Sequence, residues 1–309
     1  MPLDTDVKKL LEVIENNKIK NLENVSPDEY RSIYRKSAQI FSGQKEDVED
    51  VSDEYFNYDG SKIPLRIYRP IGSKDGAIIY YHGGGFVTGD IESYDTLCRK
   101  IANAARYTVI SVGYRLAPEN KFPTWINDSF EAYKWVLSNS DKMKISSSKI
   151  VVSGDSAGGK LAFAVPLMLM DNNLKLPRMI VSFYPSIGID AFSESSREYS
   201  EGMFLDKATM SYFARMTKLS ASDLANPYYS IIQHPRLSGL PESVVITAEY
   251  DPLRDQGETF LSKLRESGVK AAGVRALGMI HGFARFSGVI PAADRILRMI
   301  YASAVSNSS

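Results

Sequence analysis

Residues 149–170 read KIVVSGDSAGGKLAFAVPLMLM, and this stretch decides the fold. Lys149–Ser153 is a short apolar run rich in β-branched residues, the mark of a buried strand. From Ala157 to Met170 the chain is apolar and too long for a strand, so it reads as a helix. Between them Gly154-Asp155-Ser156-Ala157-Gly158 matches G-x-S-x-G. The pattern alone is weak, because a chain of this composition supplies a chance match with a probability of roughly 0.1–0.2. Its setting carries the weight. Glycines on both sides of Ser156 allow a sharp turn from strand to helix, so the hydroxyl projects from the strand end as a nucleophile. The helix N-terminus behind it offers N–H groups and a positive dipole end to a developing negative charge. A phosphate-binding loop is the competing reading of Gly159-Lys160, but that loop needs Ser or Thr after its lysine, and Leu161 follows here.

Upstream, His82-Gly83-Gly84-Gly85 follows the apolar run Ala77–Tyr81. A chance match to this block is roughly a one-in-a-thousand event, so the signal is strong. Successive glycines can turn backbone N–H groups inward without Cβ clashes, as an oxyanion hole requires. Gly83 and Gly84, with Ala157, are the expected donors; a merely flexible loop is the alternative.

A serine hydroxyl needs a base, and the chain contains only 3 histidines. His82 belongs to the glycine loop. His234, in His-Pro-Arg, is expected in a surface loop. His281 follows the last expected strand and precedes the C-terminal helix, which returns it to the same sheet edge as Ser156. Its carboxylate partner is expected in Asp251, just past the run Ser243–Glu249. Asp255 is a rival, more naturally a helix cap or ion-pair partner, and Glu249 belongs within the strand. The order Ser156, Asp251, His281 is the one this strand–turn–helix architecture uses.

Beyond these motifs, Tyr55–Tyr58, Asp59-Gly60 and Ile63–Tyr68 read as a β-hairpin. Apolar runs at Ala77–Tyr81, Thr108–Tyr114, Lys149–Ser153, Met179–Tyr184, Ser243–Glu249 and Val269–Leu277 alternate with helical stretches at Tyr94–Arg106, Ile126–Ser138, Ala157–Met170 and Gln256–Ser267. This alternation predicts an α/β fold: a mostly parallel sheet covered by helices on both faces, with the hairpin antiparallel at one edge. Residues 187–240 break the rhythm. They lack strand character but carry Met203, Phe204, Met210, Tyr212, Phe213 and Met216, as an inserted lid or a packed helical excursion would. The expected division is an N-terminal helical part at 1–50, core at 51–186, cap insertion at 187–240 and core at 241–309. The Ser-rich last residues are expected to fray.

The 309 residues are 44% hydrophobic, ample for a large core. Lys+Arg 37 against Asp+Glu 37 leaves no basic footprint for nucleic acid or an anionic membrane. Val7, Leu10, Leu11 and Ile14 recur at helical spacing after Asp4, predicting a capped helix docked on the protein rather than a signal peptide. The apolar stretch Leu161–Met170 contains Pro166 and is too short to span a bilayer. The single cysteine, Cys98, fits a reducing cytoplasm and reads as an apolar filler beside Leu97.

Together, HGGGF at 82–86, YRLAPE at 114–119, GDSAGG at 154–159, DPLRD at 251–255 and HGF at 281–283 resemble the hormone-sensitive-lipase-like carboxylesterases, the bacterial family IV. The resemblance implies an eight-stranded α/β-hydrolase core, and a cap built from the N-terminal helices and the 187–240 insertion. It further implies hydrolysis of short-to-medium acyl esters by Ser156, His281 and Asp251, with no metal and no organic cofactor. YRLAPE carries over as a structural motif near the site. Lys160 stands where the family more usually has Asn, and is expected to alter helix packing rather than mechanism. An amidase, deacetylase or lactonase could use the same triad, and some relatives are receptors that lost a triad residue. A homodimer paired through an edge strand is also compatible with the resemblance.

Overall fold

In the computed structural model residues 2–188 and 193–306 are described. Residues 189–192 of the expected insertion, and the Ser-rich end at 307–309, lie outside the described residues. Two helices come first, α1 (Thr5–Asn16) and α2 (Pro27–Phe41). The hairpin β1 (Asp50–Tyr58) and β2 (Ser61–Arg69) follows, then β3 (Ala77–Tyr81), α3 (Ile91–Ala105), β4 (Thr108–Val112) and α4 (Thr124–Ser138). The second half contains β5 (Ile150–Asp155), α5 (Ala157–Asp171), β6 (Met179–Phe183), α6 (Glu194–Glu198), α7 (Lys207–Thr217), α8 (Ala221–Ala225), β7 (Glu242–Tyr250), α9 (Arg254–Glu266), β8 (Ala271–Ile280) and α10 (Pro291–Ser306).

The strands form one sheet in the order β1-β2-β4-β3-β5-β6-β7-β8. β1 and β2 are antiparallel to each other, β2 is antiparallel to β4, and the remaining pairs are parallel. The hairpin turns at Asp59 and Gly60, both at positive φ, the geometry that favours Asp-Gly there. β1 starts earlier than the hydrophobic pattern predicts, because Asp50–Glu54 pair with Leu65–Arg69 through the backbone. On an edge strand with a wet face, pairing leaves little trace in side-chain pattern.

Along the central strands successive side chains enter opposite cores. Ile79, Tyr81 and Val152 pack with Trp125, Phe163 and Phe260 under α4, α5 and α9. Ile78, Tyr80 and Val151 pack with Leu97, Ile101 and Leu297 under α3 and α10. α5 is buried almost all round and continues through Pro166. Val7 and Leu10 of α1 are buried and Asp4 caps the helix, so the N-terminal helix is docked as expected.

Parallel strands deliver their carboxyl ends to one edge, where open α/β sheets place their sites. His82 directly follows β3, Ser156 follows β5, Asp251 follows β7 and His281 follows β8. β8 carries a register shift, Ala248 pairing with Ala276 but Tyr250 with Ile280. Gly278 stands in this irregularity at φ +74, and its N–H donates to Glu249 Oε2 at 2.6 Å. Above the edge, α2 meets α7: the Tyr30 and Tyr212 rings lie edge to face at 5.0 Å, and Tyr212 donates to the Val25 carbonyl. Among the described residues of 187–240, helices and short 3₁₀ turns replace strands.

Candidate active site

Ser156 is the single residue between β5 and α5, held at φ +55 and ψ −116. A non-glycine residue there is strained, and strain of this kind persists where surrounding structure over-determines it. A Cβ at Gly158 would lie 1.9 Å from the Tyr81 carbonyl oxygen, so only glycine lets α5 start this close to β3. The Ser156 N–H donates to the Phe183 carbonyl, pinning the turn to β6.

Three side chains separated by long stretches of chain converge here. Ser156 Oγ lies 2.9 Å from His281 Nε2, and His281 Nδ1 lies 2.7 Å from Asp251 Oδ2. Asp251 is fully buried and His281 nearly so. The carboxylate only accepts, so Nδ1–H donates to it and Nε2 is left to accept the serine proton. The second Asp251 oxygen accepts the Leu253 N–H at 2.8 Å, which fixes the carboxylate orientation. Asp255 points elsewhere: it accepts the Ser195 N–H and pairs with Arg254, anchoring α6 to α9.

The glycine loop differs from expectation in one residue. The Gly83 N–H is already engaged, donating to Asp155 Oδ1 at 2.9 Å and lying 3.0 Å from the Tyr94 hydroxyl. It is therefore not an oxyanion donor, and the Gly83 assignment is corrected. Gly84 and Gly85 line the cavity with Ser156. Among the described residues no acceptor is found for the N–H groups of Gly84, Gly85 or Ala157. Gly84 stands at φ +115 with Thr88 backbone where a Cβ would be, so the loop's close turn requires glycine.

Asp155, the variable residue before Ser156, is the main residue that sequence reasoning missed. Its buried carboxylate accepts from Tyr80, Tyr94 and Gly83, so one side chain locks the glycine loop to the strand that carries the serine. Burial pushes its pKa upward, against those three donors. A charged residue ending an apolar strand was the available signal. YRLAPE buttresses the loop from outside. Tyr114 donates to the His82 carbonyl at 2.5 Å, and its ring stacks on His82. Ala117 N–H donates to Phe86 O. Arg31 of α2 clamps Val87 O, Ala117 O and Glu119 together. Burial lowers the His82 pKa to about 4, so this imidazole stays neutral.

Two further sequence readings meet the structure. His234 is not a surface residue: it is 5% exposed, and its Nε2 lies 3.0 Å from Asp171 Oδ2. It is buried because the chain after α8 folds back onto the end of α5. Lys160 is fully buried, and its Nζ has no hydrogen-bond partner among the described residues. The amine sits 3.3 Å from the centre of the Tyr229 ring, and burial pulls its pKa down to about 7. Cys98 is buried in α3.

The cavity around Ser156 is narrow, about 40 Å³, and partly open to solvent. Its floor is the turn and glycine loop, its walls are Tyr30 and Tyr34 of α2 with Phe204 and Phe213 of the insertion, and Arg285 closes one side. Among the described residues no group of three or more His, Cys, Asp or Glu side chains is arranged to hold a metal ion. No described helix is long and apolar enough to cross a membrane.

A family profile described as alpha/beta hydrolase fold matches residues 78–285. An arylesterase of Saccharolobus solfataricus is 38% identical over 287 residues, covering 92% of each chain. An ethyl acetate hydrolase of Pseudomonas putida is 31% identical over 310 residues, covering 97% of this chain and 98% of that one. A hyperthermophilic esterase from the archaeon Pyrobaculum calidifontis superposes with a TM-score of 0.94 at 37% identity, over 100% of this chain and 99% of that one. With a strained serine turn, a buttressed glycine loop and these likenesses over nearly its full length, the chain belongs to the α/β-hydrolase superfamily, in its hormone-sensitive-lipase-like family of carboxylesterases.

Proposed function

We propose that Ser156, His281 and Asp251 are the triad with which this carboxylesterase hydrolyses small carboxylic esters through an acyl-enzyme. The observation that supports it is the continuous chain from Ser156 Oγ to His281 Nε2 and from His281 Nδ1 to Asp251, at 2.9 and 2.7 Å. His281 takes the serine proton as Oγ attacks the ester carbonyl, and Asp251 stabilises the imidazolium that forms. The carbonyl oxygen becomes an anion facing the N–H groups of Gly84, Gly85 and Ala157, pre-aimed donors that cost no reorganisation in the transition state. His281 then protonates the departing alcohol. Water, deprotonated by the same imidazole, attacks the acyl-enzyme and releases the acid and free Ser156.

The N-terminal helices and the described part of the 187–240 segment form the cap over this site. Tyr30, Tyr34, Phe204 and Phe213 give it an aromatic wall suited to short-to-medium acyl or aryl groups. A fluorophosphonate label, with mass mapping of the adduct, tests the assignment directly. The adduct is expected on Ser156, and Ser156→Ala is expected to lose it while lowering kcat/KM by at least about 10³-fold with folding retained. Labelling elsewhere, or near-normal activity in that variant, would refute the triad. Faster turnover of amides than of matched esters would overturn the substrate class.

A further inference from the structure

The cavity wall contains a charge that the hydrolytic chemistry does not use. Arg285, in the 3₁₀ turn Phe283–Phe286 directly after His281, lines the same cavity as Ser156 and is 3% exposed. Its Nε and Nη1 are buried without a hydrogen-bond partner among the described residues. The third nitrogen, Nη2, reaches only Ser37 Oγ, at 3.5 Å. The guanidinium carbon lies over the Tyr34 ring, 3.6 Å from its centre, a contact that covers the cation without satisfying its N–H groups.

No ion pair with Arg285 is found among the described residues. Asp155 is the buried carboxylate whose charge acts on it, but that group is occupied by Tyr80, Tyr94 and Gly83. A buried arginine without a partner is costly, and such groups are almost always paired. Here the unsatisfied cation borders the cavity that holds the reacting ester, so the missing acceptor has a place to arrive from.

We propose that Arg285 is a specificity-determining residue that reads a carboxylate carried by the substrate. The preferred esters are then half-esters of dicarboxylic acids, or esters of alcohols that bear a carboxylate. The proposal rests on the triad reading above, because it names the substrate class of that same cavity. The carboxylate supplies the counter-charge, and the planar guanidinium, already oriented by Tyr34, loses little freedom in binding it.

The experiment compares kcat/KM for two matched pairs. Monoethyl adipate against ethyl heptanoate places the carboxylate on the acyl side, and 3-acetoxypropanoate against butyl acetate places it on the alcohol side. In the wild type, one anionic ester is expected to be turned over at least as well as its neutral match, which identifies the side that faces Arg285. In Arg285→Met the anionic-to-neutral ratio for that pair is expected to fall roughly 10–100-fold, the range for losing hydrogen bonds to a charged group. Arg285→Lys restores part of the ratio. A purely structural role would lower both members of each pair together and leave the ratios unchanged, which overturns the proposal. Wild-type rejection of both anionic esters by more than about 100-fold overturns it without any variant, so misfolding of Arg285→Met does not protect it. Failure of the triad reading is distinct: none of the four esters would depend on Ser156.

Discussion

Among the described residues two buried imidazoles are paired with carboxylates, and one of these pairs belongs to the proposed active site. His281 with Asp251 and His234 with Asp171 have similar separations, 2.7 and 3.0 Å, and both imidazoles are at least 95% buried. They differ at the other ring nitrogen. His281 Nε2 faces the Ser156 hydroxyl at the cavity floor. His234 Nδ1 accepts the N–H of Arg236, two residues on, and its ring stays within its own loop. Their carboxylates differ as well. Asp171 is shared with Tyr228 and Arg236, which makes it a tie between α5 and the loop leading to β7. Asp251 serves His281 and one local backbone N–H. A histidine held by a carboxylate is thus a structural unit, and chemistry begins where its free nitrogen meets a reactive group in a cavity.

Exchanging each histidine for glutamine gives the largest contrast. His281→Gln is expected to lower kcat by roughly 10⁶-fold, since triad members act as a unit. His234→Gln should leave kcat within a few-fold and instead lower unfolding stability by about 1–3 kcal/mol, the range for disturbing a buried hydrogen bond. Steady-state kinetics and denaturant melts on both variants would break the comparison if the two effects appeared in the wrong residues. The carboxylates give the next largest. Asp251→Asn should cost roughly 10⁴-fold in kcat by presenting the wrong histidine tautomer. Asp171→Asn should appear in stability alone.

Lys160 sharpens the comparison from the other side, as a buried base whose Nζ has no acceptor among the described residues. A lysine whose folded pKa falls from the ordinary 10.5 to about 7 weakens folding at every pH below its unfolded value. The penalty is absent above the unfolded value, grows as pH falls below it, and is complete once pH drops below about 7. Lys160→Met should therefore stabilise the protein at pH 6 by an amount on the order of a few kcal/mol, the Tyr229 ring face offsetting part of the relief. The gain should fade towards pH 10.5. Thermal melts across this range test it, and a variant less stable at pH 6 would show that the ammonium–ring contact dominates.

Much of this was legible before any coordinates. The eight strands, the hairpin at one edge, the turn at Ser156 and the order Ser156, Asp251, His281 follow from local patterns: apolar runs, Asp-Gly and Gly-flanked turns, and lengths that separate strands from helices. Such patterns report what each segment does to its own backbone, which is why element ends were the weakest part. The apolar pattern starts β1 late because its polar first residues pair through the backbone and through ion pairs such as Asp53 with Arg66, which leave no apolar alternation. The expected run stops at Leu277, whereas β8 continues through the irregularity at Gly278 to Ile280.

What the patterns could not carry was the identity of neighbours brought together from far along the chain. Whether Gly83 or Gly85 faces the cavity depends on a carboxylate 72 residues away that claims the Gly83 N–H. Whether His234 lies inside or outside depends on the end of α5, 63 residues away. Arg285, read from sequence, is one more basic residue; the packing of Tyr34, Tyr94 and Phe286 around it removes its solvent at the edge of the cavity. Hydrogen-bond satisfaction and desolvation belong to the three-dimensional surroundings of a group and not to its place in the chain. The residues that can perform the chemistry are written locally, and the assignment of which groups are free to perform it comes from the folded whole.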